Sequence, residues 1–171
     1  MNQSTPTRND PASASETAVG LTPYVCPRHC AQAIDWYVEV FGAVELGERY
    51  VDPDGRIGHA EVVLGEATLM LSDEYPAYGT VAPPPDNTSA TFALQLHVVD
   101  ADATVAKAAD AGATVQRSVD EEVAGYRIGT IMDPFGIRWM VSTKVREVSA
   151  EELAAEVKAF GETGATDGPL S

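Results

Sequence analysis

The chain runs through one order of elements twice. In the first half LTPYV (21–25) reads as a strand and AQAIDWYVEVFGA (31–43) as a helix, with Ile34, Tyr37, Val38 and Phe41 at helical spacing and Gly42 as its stop. VELGERY (44–50), HAEVVL (59–64) and ATLMLS (67–72) then read as three strands, separated by turn signals at DPDG (52–55) and Gly65-Glu66. The same order returns in TFALQLHVV (91–99), a helix over 101–113 ending at Gly112, and strands TVQRSVD (114–120), GYRIGTIM (125–132) and IRWMVST (137–143). Gly42-Ala43 matches Gly112-Ala113 at an offset of 70, and Gly65 matches Gly136 at an offset of 71. A repeat of this kind predicts an α+β fold of two βαβββ modules related by a pseudo-twofold. Each module has one sheet and one helix. The helix covers one sheet face, and the other face is left to curve around a shared cup.

The rest of the chain is organised around this repeat. Residues 1–19 are polar, lack periodicity and read as a disordered arm. The domain spans 20–147, with modules at 20–74 and 90–144 joined by a proline-rich linker at 75–89. A C-terminal helix is expected over 148–160. It is announced by Ser149-Ala150-Glu151-Glu152, the pattern of a capping box, with Gly161 as its stop and 161–171 as a loose tail.

Composition narrows the partners. With 26 acidic and 11 basic side chains the formal charge is -15, which repels phosphate backbones and anionic lipid. Nucleic-acid and membrane partners are therefore not expected, and a cationic ligand is the kind this charge attracts. No stretch approaches a membrane span, and the N-terminus has no signal-peptide core, so a cytoplasmic location is expected. Cys26 and Cys30 are too few for a disulfide framework. With His29 they form a C-x3-C group that reads as helix-entry packing rather than half a metal site.

PDGRIGHAEVVLGEATLMLSDE (53–74), GYRIGTIMDPFGIRW (125–139) and the trailing VSAEEL (148–153), set in two βαβββ units, resemble the vicinal oxygen chelate superfamily. This is the glyoxalase, bleomycin-resistance and extradiol dioxygenase group, and within it the likeness is to the PhnB-like branch, over residues 21–155. The resemblance implies a cup that holds a divalent metal, with His or Gln on each module's first strand and Glu on its last, and it implies a homodimer. Carried onto this chain by turn and helix offsets, the four positions are Pro23, Leu69, Ala93 and Met140. None supplies a ligand for a hard metal, so no metal and no cofactor are expected.

Strand alternation nominates the groups that face the cup instead. His59 and Glu61 oppose the apolar Ala60, Val62 and Leu64; His97 shares a face with Gln95, and Arg138 with Met140. With Tyr50 and Tyr126 these make a mixed lining, Tyr50, His59, Glu61, Gln95, His97, Tyr126, Arg138 and Met140, suited to a small organic ligand with a few polar handles. Trp36 and Trp139 read as core. The function expected is sequestration of a small molecule, cationic or aromatic in kind. One alternative is a metal-dependent lyase, isomerase or dioxygenase with a non-standard set such as His59, Glu61 and His97. Another is an interaction module with a collapsed cup.

Overall fold

Two sheets, each with a helix against one face, build the protein. The computed structural model describes residues 20–163 of the 171-residue chain. The arm expected over 1–19, and the tail beyond Thr163, lie outside the described residues. The first sheet holds β1 (Tyr24–Val25), β2 (Val44–Glu45), β3 (Tyr50–Val51), β4 (Ile57–Leu64) and β5 (Ala67–Leu71), with α1 (Cys30–Phe41) between β1 and β2. Its order is β1-β5-β4-β2, with β3 also paired to β4. The second holds β6 (Leu94–His97), β7 (Thr114–Glu122), β8 (Tyr126–Met132) and β9 (Arg138–Lys144), in the order β6-β9-β8-β7, with α2 (Ala101–Asp110) between β6 and β7. In each sheet the module's first strand runs parallel to its last, β1 beside β5 and β6 beside β9. The expected repeat is therefore present in the pairing as well as in the element order.

Alternation along β4 explains which face meets a helix. Ile57, Ala60 and Val62 are buried, as are Leu69 and Leu71 of β5. The helix supplies Cys30, Ala33, Ile34, Trp36, Tyr37 and Val40 against them, whereas Val38 points outward and is 40% exposed. Gly42 ends α1 at φ 70, and its N–H bonds to the Tyr37 carbonyl. This is a left-handed cap that costs a glycine nothing.

α1 also binds the other module. The Tyr37 hydroxyl donates to Asp133 Oδ2 at 2.7 Å, and Trp36 Nε1 donates to the Ala111 carbonyl at 2.9 Å. The rings of Tyr37 and Phe41 meet Trp139 edge-on, at 5.3 and 4.9 Å between centroids. One hydrophobic cluster consequently runs through both modules.

Several expected boundaries move. VELGERY is not one strand: a turn at Gly47, φ 74, splits it into β2 and β3. The strand expected over 91–99 is ordered as β6 only from Leu94 to His97, and α2 ends at Asp110. The segment 75–89 is not featureless. A short 3-10 turn (Pro76–Tyr78) and a bridge between Tyr75 and Thr80 fold its start into a closed loop. The last helix, α3 (Ala150–Thr163), continues through Gly161, since one helical glycine costs only about 1 kcal/mol relative to alanine. Its capping box is half made: Ser149 Oγ accepts from Glu152 N at 3.2 Å, while the Glu152 carboxylate goes to Arg146 at 2.7 Å. Among the described residues no helix is long and apolar enough to cross a membrane.

Candidate functional site

The helix-free faces of the two sheets carry the polar side chains. On the first sheet Tyr24 pairs with Met70, Met70 with Glu61, and Tyr50 with His59, so these five share that face. A bulge aligns them. Val51 pairs with Ile57 but Tyr50 with His59, leaving Gly58 as the extra residue. A Cβ on Gly58 would lie 2.6 Å from Tyr50 Cδ1, so the missing side chain makes room for that ring. His59 Nε2 and Glu61 Oε1 stand 3.1 Å apart, and the His59 and Tyr24 rings are 5.9 Å apart.

On the second sheet Gln95 pairs with Met140 and His97 with Ser142. Thr130 pairs with Met140, and Ile128 with Ser142. Ser142 is fully buried and acts as a hub: Gln95 Nε2 donates to its Oγ at 3.3 Å, and His97 Nδ1 lies 3.0 Å from the same oxygen. Tyr126 sits 6.0 Å from His97, ring to ring. Arg138 Nε donates to Gln116 Oε1 at 3.0 Å, and Gln116 in turn donates to the Thr88 carbonyl.

The eight expected lining residues therefore fall into two sets, each on a helix-free face. Tyr50, His59 and Glu61 belong to the first sheet, and Gln95, His97, Tyr126, Arg138 and Met140 to the second. Gln95 and His97 also border a cavity of about 460 Å³ between the modules, whose walls are mostly apolar: Phe41, Leu64, Leu69, Leu94, Leu96 and Trp139. A depression of about 310 Å³ on the first sheet includes Tyr50 but adds Tyr24, Asp52, Tyr75 and Tyr78, which the sequence reading passed over. The signal available was that four of the six tyrosines stand within or beside strands of the first module and the loop after it. A further cavity, of about 710 Å³, lies at the entry to α1 beside Arg28, Asp73 and Pro83–Pro85. Two of its charged groups are already matched. Asp73 accepts from Cys30 N and Ile57 N, and Arg28 donates to the carbonyls of Pro83, Pro84 and Pro134.

The positions that resemblance assigned to metal ligands need correcting by strand register. Leu69 is 3% exposed and faces α1, so the last-strand position on the helix-free face is Met70. The parallel pairs Tyr24–Met70 and Gln95–Met140 correspond between the modules, which replaces Pro23 and Ala93 by Tyr24 and Gln95. The error came from the turns: residues 65–66 join β4 to β5, but 133–137 join β8 to β9, so an offset measured at the glycines fails inside the strand. The corrected positions offer one phenol, one amide and two thioethers. Gln95 is of the type implied for a first strand. Hard divalent metals take carboxylate oxygen or imidazole, and two thioethers do not replace a glutamate. Among the described residues no three His, Cys, Asp or Glu side chains form a group that could hold a metal. His59 and Glu61 lie on one sheet and His97 on the other.

The two thiols are chemically quiet. Burial, helped by the Glu74 and Asp73 carboxylates, pushes Cys26 up to about 11. Burial and Asp73 push Cys30 up to about 12. A raised thiol pKa favours the folded state below the ordinary thiol value near 9, and this contribution is lost as pH climbs from there through the folded values. Native protein at pH 8 is expected to resist iodoacetamide, with both cysteines labelled once urea is added. Fast native labelling of Cys30 would contradict its burial.

Asp133, the turn aspartate of DPFG, is structural. Oδ1 accepts from the backbone N–H groups of Phe135 and Ile137, and Oδ2 from Tyr37 Oη and Trp139 Nε1. Burial pushes its pKa up while these four donors oppose the shift.

Comparison with known proteins agrees with this architecture. The model of the "Glyoxalase/Bleomycin resistance protein/Dioxygenase superfamily" matches residues 21–141. The chain is 37% identical over 144 residues to the uncharacterized protein Rv0887c of Mycobacterium tuberculosis, covering 83% of this chain and 84% of that one. A glyoxalase family protein from Bacillus cereus superposes with a TM-score of 0.60 at 18% identity, covering 79% of this chain and all of the other. A PhnB protein from Bacillus cereus gives a TM-score of 0.55 at 17% identity, over 72% of this chain and 98% of the other. By its sequence, its repeated strand pairing and its fold, the chain belongs to the glyoxalase/bleomycin resistance protein/dioxygenase superfamily.

Proposed function

We propose that this protein is a small-molecule binding member of its superfamily, holding an organic ligand against the helix-free sheet faces without the superfamily's metal. The observation that carries the reading is the donor set at the four corrected positions: Tyr24, Met70, Gln95 and Met140 supply no carboxylate and no imidazole. A cytoplasmic homodimer is part of the reading; for the dimer, the support is that β1 and β6 end their sheets among the described residues, leaving edges that a second copy can cover.

The test separates binding from metal chemistry. Purified protein is analysed for metals as isolated, then melted with a panel of organic amphiphiles before and after dialysis against a chelator. A true ligand at about 100 times its Kd adds about 2.7 kcal/mol and raises the melting temperature by several degrees. The ligand is then expected back unchanged by mass spectrometry, with chelation making no difference. One metal per chain, lost on replacing His59 or His97 with Ala, would overturn the reading in favour of a metal-dependent enzyme.

A further inference from the structure

The depression on the first sheet has a lining that selects for charge. Four tyrosines, Tyr24, Tyr50, Tyr75 and Tyr78, surround it together with Asp52, and among the described residues no lysine, arginine or histidine lines it. Tyr24, Tyr50 and Tyr78 are 50%, 64% and 86% exposed, so three large rings are left open to solvent at one place. Grouped exposed aromatics mark binding surfaces more often than isolated ones do. The rings are held, not loose. Tyr50 lies over the bare backbone of Gly58. Tyr75 and Tyr78 stand on a loop closed by Tyr75 N to the Thr80 carbonyl at 2.8 Å and Tyr78 N to the Tyr75 carbonyl at 2.8 Å.

The charges nearby do not cancel. Asp54 pairs with Arg56 at 2.7 Å, whereas Asp52, within electrostatic reach of the same guanidinium, has the Tyr75 phenol, at 2.5 Å, as its side-chain hydrogen-bond partner among the described residues. That hydrogen bond pushes the Tyr75 phenol up to about 12, so the ring stays neutral. Tyr75 already takes a cation on one face, with the Arg56 guanidinium 4.2 Å from its centroid. Tyr24, Tyr50 and Tyr78 have no such occupant among the described residues.

We infer that this depression binds an organic cation, an alkylated ammonium or a cationic heterocycle, through the faces of Tyr24, Tyr50 and Tyr78 and the charge of Asp52. The inference rests on the small-molecule reading above and names the ligand class for one part of that surface. The physics is the attraction of a cation to the negative face of an aromatic ring, strengthened where a carboxylate lies alongside. A phosphate or sulfonate finds no cationic group in the lining among the described residues, the nearby Arg56 being taken up by Asp54 and the Tyr75 ring. A bare metal ion finds one carboxylate and neutral phenols, too few donors to replace its hydration.

Choline and its uncharged isostere 3,3-dimethylbutan-1-ol are the probes, titrated separately into the full chain while amide shifts are followed by NMR. Choline is expected to move Tyr50, Gly58 and Tyr78 and to bind at least about ten-fold tighter than the alcohol. Tyr50→Leu and Tyr78→Leu are each expected to weaken choline about five-fold, Tyr50→Phe by less than about two-fold because the ring remains, and Asp52→Asn about five-fold. Both tyrosines are largely solvent-exposed, so these variants are expected to melt with wild type. Equal affinity for choline and the alcohol would overturn the cation inference and leave the binder reading intact. So would choline failing to bind while another member of the amphiphile panel does. Tyr50→Phe losing as much as Tyr50→Leu would overturn recognition by the ring face.

Discussion

Replacing Asp133 with alanine is expected to destabilise the protein by about 4 kcal/mol and to lower its melting temperature by roughly 12 °C. The carboxylate is 3% exposed and collects four donors: two backbone N–H groups of its own turn, the Tyr37 hydroxyl and the Trp139 indole N–H. Tyr37 is fully buried and Trp139 is 2% exposed, so neither group can turn to water when the acceptor is gone. Each stranded buried donor costs about 1–3 kcal/mol, partly relieved by relaxation. Asp133→Asn keeps an oxygen for the turn but presents an N–H₂ group to the indole donor, and is expected to cost about 2 kcal/mol. Tyr37→Phe removes one spoke at about 1 kcal/mol, and the double variant with Asp133→Ala is expected to be less than additive. Chemical denaturation of the four proteins measures all of this. An Asp133→Ala variant melting within two or three degrees of wild type would show that the carboxylate does not join the modules.

The second large effect is expected at Gly125, where alanine should cost about 3 kcal/mol. Gly125 has φ 72, a conformation that L side chains rarely adopt. An added Cβ would also collide with the Arg146 carbonyl oxygen and sit 2.7 Å from Arg146 Cγ. The first of these is backbone and cannot swing aside. The Gly125 carbonyl accepts from Val145 N and Arg146 N, so moving it also releases the segment leading into α3. That helix is held by Arg146, which pairs with Glu121, Glu152 and Glu156, and by Glu156 accepting from Ala124 N. Hydrogen exchange in Gly125→Ala is therefore expected to rise across α3 before the β8–β9 pairing is affected. Uniform protection across α3 would mean that the helix is anchored by something other than this corner.

The repeat was legible because element order and glycine turns survive in the sequence whatever the partners do. Facing was legible too: alternation alone assigned Ala60 and Val62 to the helix and His59 and Glu61 to the open side, and their burial agrees. Register was not. Leu69 and Met70 are both apolar, and only the pairing of Met70 with Tyr24 and Glu61 says which of them faces away from α1. VELGERY looked continuous because alternating apolar residues cannot reveal that Gly47 takes a positive φ. The tyrosine depression was hidden for a different reason. Tyr24, Asp52 and Tyr78 are distant in sequence, and Tyr75 and Tyr78 lay in a proline-rich stretch without periodicity.

By itself the sequence determined two βαβββ modules, their helix-facing residues and an acidic surface, since periodicity, turn chemistry and charge are local or additive properties. Only the tertiary structure decided that Asp133 is the knot between the modules rather than a turn residue. Only it decided that Tyr24 and Gln95, not Pro23 and Ala93, pair with Met70 and Met140 on the helix-free faces, and that four tyrosines meet around one aspartate. Those are matters of which atoms approach one another across long stretches of chain, and a hydrogen bond or a ring contact exists only where the packing brings both partners within reach.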